Sequence, residues 1–242
     1  MSKQDDLYSK PIANPAEFRF DERVVSVFPD MINRSVPGYA LIIPMIGLLA
    51  RRFVTAGSRI YDLGCSLGAC SLAIRHALSL SDAEIIAVDN SEAMVARCQQ
   101  LVDDDHATIP VNVQLADIET VTIRDASLVV LNFTLQFLSP TARTELLAGI
   151  FNGLQPGGAL VLSEKVCFED QEQQQLFTGW HHDFKKTQGY SDLEIAQKRN
   201  ALENILIPET LGAHFDRLSA IGFQKTYNWY QCFNFFSIIA IK

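Results

Sequence analysis

The chain has 242 residues, which suits one large domain or two small ones. Apolar residues make up 48% and charged residues 20%, so a sizeable core is available and a disordered chain is excluded. The net charge of −8 argues against nucleic acid as the main partner, because duplex-binding proteins neutralise phosphates with clustered cations.

Residues 1–58 read as mostly helical, with Pro29, Pro37 and Pro44 as breaks. Met1 to Lys10 is polar and carries both charge signs, unlike a signal peptide. The most apolar long stretch, Tyr39 to Ala50, is interrupted by Pro44 and Gly47 and falls short of the ~20 residues a membrane span needs. From Arg59 onward strands and helices alternate. Arg59–Leu63 is a buried strand, Gly68–Leu80 a helix and Glu84–Val88 a second strand. Ser91 N-caps a helix that runs to about Asp104. Val111–Leu115 and Leu128–Leu131 are the third and fourth strands, and Thr141–Leu154 is an amphipathic helix. Pro156-Gly157-Gly158 turns the chain into a fifth strand, Ala159–Ser163. Residues 168–207 form a second helical stretch, with Gly189-Tyr190-Ser191 as its turn. Pro208–Ala220 is a helix, and the aromatic run from Tyr227 to Ile241 is long enough for two antiparallel strands.

This alternation implies right-handed crossovers and a mostly parallel α/β sheet covered on both faces. Residues 1–242 read as a single domain: a helical cap (1–58), core β/α units (59–167), a helical insertion (168–207) and a C-terminal helix with strands (208–242). The cap and the insertion are candidate lids. The five cysteines (Cys65, Cys70, Cys98, Cys167, Cys232) form no C-x-x-C pair, so they read as free thiols in a reducing, cytoplasmic setting and not as a metal site.

The most informative residues are Tyr61-Asp62-Leu63-Gly64-Cys65-Ser66-Leu67-Gly68, where the first strand hands over to the first helix of the core. Three readings compete. A dinucleotide fingerprint fails on the glycine spacing. A nucleophile elbow, G-x-S-x-G, matches, but several strands and an oxyanion loop should precede it and none does. The first motif of class I S-adenosylmethionine (SAM) enzymes also matches, with Ser66 in place of its middle glycine. The second strand decides: it ends in Asp89, followed by Asn90, where a carboxylate can bind both hydroxyls of a ribose. After the third strand, Asp117 and Ile118 are placed to surround an adenine, although a plain turn carboxylate explains Asp117 alone equally well. Asp62 should hold the glycine turn through backbone hydrogen bonds. A nucleoside without a phosphate cradle points to SAM and to a seven-stranded, Rossmann-like SAM-dependent methyltransferase fold with an antiparallel last strand. After the fourth strand, Asn132 to Phe137 contains no N-P-P-Y-like motif for a base amine. His181 and His182 are candidate bases, but adjacent helical residues point in different directions, so at least one should lie outside the chemistry.

Further stretches carry a resemblance: Phe20 to Val24, Phe28 to Ile32, Arg34 to Tyr39, Tyr61 to Gly68, Val129 to Phe137, Gly157 to Lys165, His181 to Lys185, Gln197 to Arg199 and Gln231 to Phe235. Through them the sequence resembles the carboxy-S-adenosylmethionine (carboxy-SAM) synthase family over nearly its whole length. The resemblance implies that SAM is a substrate whose methyl carbon gains a carboxylate from prephenate, for later use by a downstream tRNA carboxymethyltransferase acting on the wobble uridine. It implies that Gly64, Cys65 and Ser66 contact the amino-acid part of SAM, that Asp89 and Asn90 hold the ribose side, and that Asp117 and Ile118 flank the base. Tyr39 and Asn132 should close on the methionine portion. Arg199, the one residue given a catalytic part, should bind the new carboxylate; a solvated helix face, with Glu203 as a pairing partner, is the plainer account of it. The family is homodimeric, which implies that residues 168–207 contribute to the partner's site, while the sequence leaves open which subunit supplies Arg199.

Overall fold

The protein is described here by a computed structural model, covering residues 3–12, 18–80, 82–203 and 205–242. Its strands are β1 (Arg59–Leu63), β2 (Glu84–Asp89), β3 (Val111–Leu115), β4 (Ala126–Asn132), β5 (Leu154–Cys167), β6 (Glu209–Thr210), β7 (Lys225–Cys232) and β8 (Phe235–Ile241). Seven of them form one sheet in the order β3-β2-β1-β4-β5-β8-β7. Every neighbouring pair from β3 to β5 is parallel, while β8 runs antiparallel to both β5 and β7. The expected sheet and its antiparallel last strand are thus present. The two-residue β6, too short to read from sequence, adds a parallel pair at the outer end of β5.

Alternation along the strands sends side chains to two cores. Tyr61, Leu63, Val129 and Leu131 face one side, where Leu146, Leu147 and Ile150 of α5 (Pro140–Gly153) and Leu218 of α8 (Leu211–Ile221) pack on them. Ile60, Leu128 and Val130 face the other, against Ile42 and Ile46 of α2 (Tyr39–Phe53) and Ile74 of α3 (Ala69–Ala77). Gly47 lets α2 settle on α3, since a β-carbon there would stand 2.8 Å from the Ala73 carbonyl oxygen. α4 (Glu92–Asp103) follows β2 and is capped by the Ser91 hydroxyl, as expected.

Three details depart from the sequence reading. Pro29 and Pro44 lie inside α1 (Glu22–Ser35) and α2; only Pro37 falls between helices. Each proline removes one backbone bond at a cost of ~3 kcal/mol. The buried Val24, Val27 and Met31 of α1, and Ile42, Ile46 and Ala50 of α2, offset it at roughly 1.5–3 kcal/mol for each large side chain. The last helix starts at Leu211 rather than Pro208, because Thr210 caps it through a bond from the Ala213 amide. β5 runs well past Ser163, because β8 keeps pairing with it through Lys165 and β6 takes over at Val166. Residues 168–207 form α6 (Gln171–Thr187) and α7 (Asp192–Leu202), separated by the turn expected at Gly189. Among the described residues no single helix is long and apolar enough to cross a membrane.

Candidate active site

The carboxyl ends of the parallel strands open into a cavity of about 650 Å³, roofed by α1, α2, α6 and α7. Its acidic end is built around the turn after β1. Gly64 has φ 78°, and a β-carbon there would run into the side chain of Thr134 from the β4 turn. Ser66, standing where a glycine was expected, adopts φ 51°. That conformation aims its amide at Asp89, whose Oδ2 accepts it at 2.9 Å. The other oxygen, Oδ1, accepts the Ser91 amide at 2.9 Å. Each oxygen keeps a second lone pair, so the fixed carboxylate can still receive two hydroxyl groups. Burial raises the Asp89 pKa, and hydrogen bonds from Ser91, Ser66 and Asn90 oppose the rise.

Asp62 differs from expectation. It is fully buried, and its Oδ2 accepts from the amide and the hydroxyl of Ser71 at 3.0 and 2.6 Å. It therefore anchors the first turn of α3 and not the backbone of the glycine turn. Burial pushes it up to about 6 against those hydrogen bonds. Asp117 is the turn carboxylate that the plainer account expected, Oδ1 accepting the Glu119 amide at 3.0 Å, and it also lines the cavity beside Ile118. Asn90 and Cys65 line it too.

At the end of β4, the Asn132 Oδ1 is buried without a hydrogen-bond partner among the described residues, and Asn132 lines the cavity. Phe133 follows with φ 61°, a conformation that costs a bulky residue ~1–3 kcal/mol. The Tyr39 ring of α2 lies 6.4 Å from the Phe133 ring, so cap and sheet meet over Asn132.

The far end of the cavity is cationic. His181 is buried, its Nε2 2.8 Å from the Ser35 carbonyl oxygen and its ring edge-on to Phe235 at 4.8 Å. Burial, with Lys165 adding to it, pushes its pKa down to about 3, so the ring is neutral and Nε2 is the donor. His182 lines the cavity as well, so neither histidine leaves the site. Arg199 of α7 stands exposed at the cavity rim and makes no ion pair with Glu203. Its neighbour Lys198 is buried instead of solvated, with Nζ donating to Ser35 Oγ at 2.9 Å and lying 3.7 Å from Asp5. Both α6 and α7 line their own chain's cavity. Every residue singled out from the sequence for binding thus lines one cavity. Sequence reasoning gave no part to Lys165 at the end of β5 or Lys185 of α6. A lysine closing an apolar strand, and another four residues after His181 on the same helix face, were the available signals.

A family profile described as a methyltransferase domain matches residues 60–158. A solved SAM-dependent methyltransferase from Methanococcus maripaludis superposes with a TM-score of 0.59 at 20% identity, covering 96% of this chain and 97% of that one. Human N-acetylserotonin methyltransferase in complex with SAM gives 0.62 at 18% identity, and the chain spans 55% of that longer protein. These likenesses establish the fold. The carboxy-S-adenosyl-L-methionine synthase of Erwinia tasmaniensis is 56% identical over 100% of this chain and 98% of its own length. The enzymes of the same name from Trichlorobacter lovleyi and Geobacter metallireducens are 55% and 56% identical over 99% of each chain. The chain belongs to the carboxy-S-adenosyl-L-methionine synthase family. Like its family it is an enzyme, on a methyltransferase-like fold. The methyltransferase profile spans only residues 60–158, whereas the likeness to the Erwinia tasmaniensis synthase covers the whole chain, the cap and α6–α7 included.

Proposed function

We propose that the chain converts SAM and prephenate into carboxy-SAM, phenylpyruvate and water. SAM binds with its ribose hydroxyls on Asp89 and Asn90, its adenine beside Asp117 and Ile118, and its methionine portion between Gly64–Ser66, Tyr39 and Asn132. The sulfonium acidifies the methyl group. Prephenate loses its ring carboxylate as CO2 and its hydroxyl as hydroxide; the hydroxide takes the methyl proton, and the ylide carbon so formed captures the CO2. Arg199 binds the carboxylate that results, through two parallel hydrogen bonds.

The observation that carries this reading is the polarity of the cavity: acidic where a nucleoside binds, cationic where carboxylates would sit. No cavity histidine is paired with a carboxylate among the described residues, and His181 is tied to a carbonyl oxygen. Such a site positions and desolvates its substrates and does not itself abstract the proton. The protein works in the cytoplasm as a homodimer, and its product serves a downstream tRNA carboxymethyltransferase.

Incubation with SAM and prephenate should release phenylpyruvate and carboxy-SAM in equal amounts, followed by mass spectrometry, with no S-adenosylhomocysteine. S-adenosylhomocysteine formed in step with a methylated small molecule would replace this reading with methyl transfer.

A further inference from the structure

We propose that Lys165 and Lys185 form the subsite that holds the carboxylates of the carboxyl donor, a small dicarboxylate. This rests on the carboxyl-donor reading of the cavity and gives a part to two side chains that reading leaves unassigned.

The sheet order separates this subsite from the nucleoside. Asp117 follows β3 and Lys165 lies near the end of β5, with β2, β1 and β4 between them. Four strand spacings make that roughly 19 Å. Lys165 is instead a near neighbour of Asn132: Asn132 pairs with Ser163, and Lys165 is the next residue on the Ser163 face of β5. Its backbone amide is pinned by the Gln136 side chain at 3.1 Å. Lys185 comes from the roof, with Nζ 5.4 Å from the Tyr190 ring.

Neither lysine forms an ion pair among the described residues, whereas the nearby Lys198 has Asp5 at 3.7 Å. The carboxylates at this end are otherwise engaged. Asp5 also accepts the Tyr190 hydroxyl, and Glu194 accepts the amide and hydroxyl of Ser191 in a capping box. Glu203 lines the rim and pairs with neither lysine. A buried ammonium group, Lys185, and a half-buried one, Lys165, are costly without a counter-ion, and an apolar pair would fill the same space at no such cost. Burial lowers the pKa of both, and the charges of Lys198 and Lys165 help hold Lys185 down at about 7. A bound dianion answers that deficit. Phe133, Phe137 and Phe235 line the same cavity, Phe235 pairing with Lys165 across the sheet and packing on Phe133, and these rings suit a carbocycle.

The test uses Lys165→Met and Lys185→Met in the full chain, with prephenate and 2-oxoglutarate as probes. The two carboxylates of 2-oxoglutarate are separated by the same carbon chain as those of prephenate, but it has no ring hydroxyl to lose. Each variant should bind both probes on the order of tenfold more weakly by calorimetry or worse, and raise the KM for prephenate in step. Affinity for SAM should stay within about twofold, since the proposed placement puts its amino-acid end at the Gly64–Ser66 turn. The melting temperature without ligand should hold or rise, because an unpaired buried cation has been removed; a purely structural lysine would lower it. Turnover of prephenate with unchanged KM in both variants overturns the subsite and leaves the donor reading standing. SAM affinity falling in parallel overturns it in favour of a site for the methionine carboxylate. If the wild type forms no phenylpyruvate, the donor reading fails; lysine-dependent binding of 2-oxoglutarate would then still support the dicarboxylate site, and no binding of either probe would overturn both.

Discussion

Replacing Asp89 with alanine tests the nucleoside end of the cavity, and the structure gives the variant two separable effects. The carboxylate accepts the amides of Ser66 and Ser91 at 2.9 Å each, so the protein itself loses two acceptors. At about 1 kcal/mol net apiece, partly repaired by water in the open cavity, the loss is up to ~2 kcal/mol. For a chain of this length that lowers the melting temperature by roughly 4–8 °C at most. In the proposed binding mode the ligand loses two charge-assisted bonds from its ribose hydroxyls, ~1.5–3 kcal/mol each before water repays a share. Even one such bond unreplaced means at least about tenfold weaker SAM binding. Calorimetry with SAM at a temperature where the variant is fully folded isolates the second effect, and a thermal scan without ligand measures the first. Unchanged SAM affinity would remove Asp89 from the site. A melting drop without an affinity change would leave it as a brace for the Ser66 turn alone.

Arg199→Ala should lower affinity for carboxy-SAM by roughly ten- to several hundred-fold and affinity for SAM far less, with Arg199→Lys recovering part; equal losses in calorimetry would make it structural. Glu164 is fully buried, and burial pushes its pKa from 4.5 up to about 8, against the pull of Arg143 and the Leu135 amide. Its protonated form is favoured in the fold, so its contribution to stability is complete below about 4.5 and is lost as the pH rises through about 8. Glu164→Gln, which keeps an acceptor for Leu135, should flatten the fall in melting temperature over that window; an identical pH profile in variant and wild type would show that Glu164 does not titrate there.

The sheet and the nucleoside end were legible because both depend on local pattern. Apolar runs marked β1 to β4, and carboxylates at the ends of β1, β2 and β3 marked a candidate ligand cavity. The cationic end was not, because its charge is assembled from β5, α6 and α7, far apart in the chain. Lys198 shows why: in a polar stretch it reads as solvated, and only the fold brings Asp5 and Ser35 to it. Proline was read too strictly, since a helix with one strongly apolar face tolerates the lost bond at Pro29 and Pro44.

β8 is the last element in chain order, yet it lies inside the sheet, between β5 and β7. During synthesis the outer edge of β5 therefore stays largely unpaired until β8 has emerged, about 70 residues later, an aggregation-prone edge in the meantime. The same strand brings Phe235 alongside Lys165 and against the His181 ring. The apolar backing of the cationic end is completed only when β8 docks, so a nascent chain can shape the acidic end of its cavity before the cationic end.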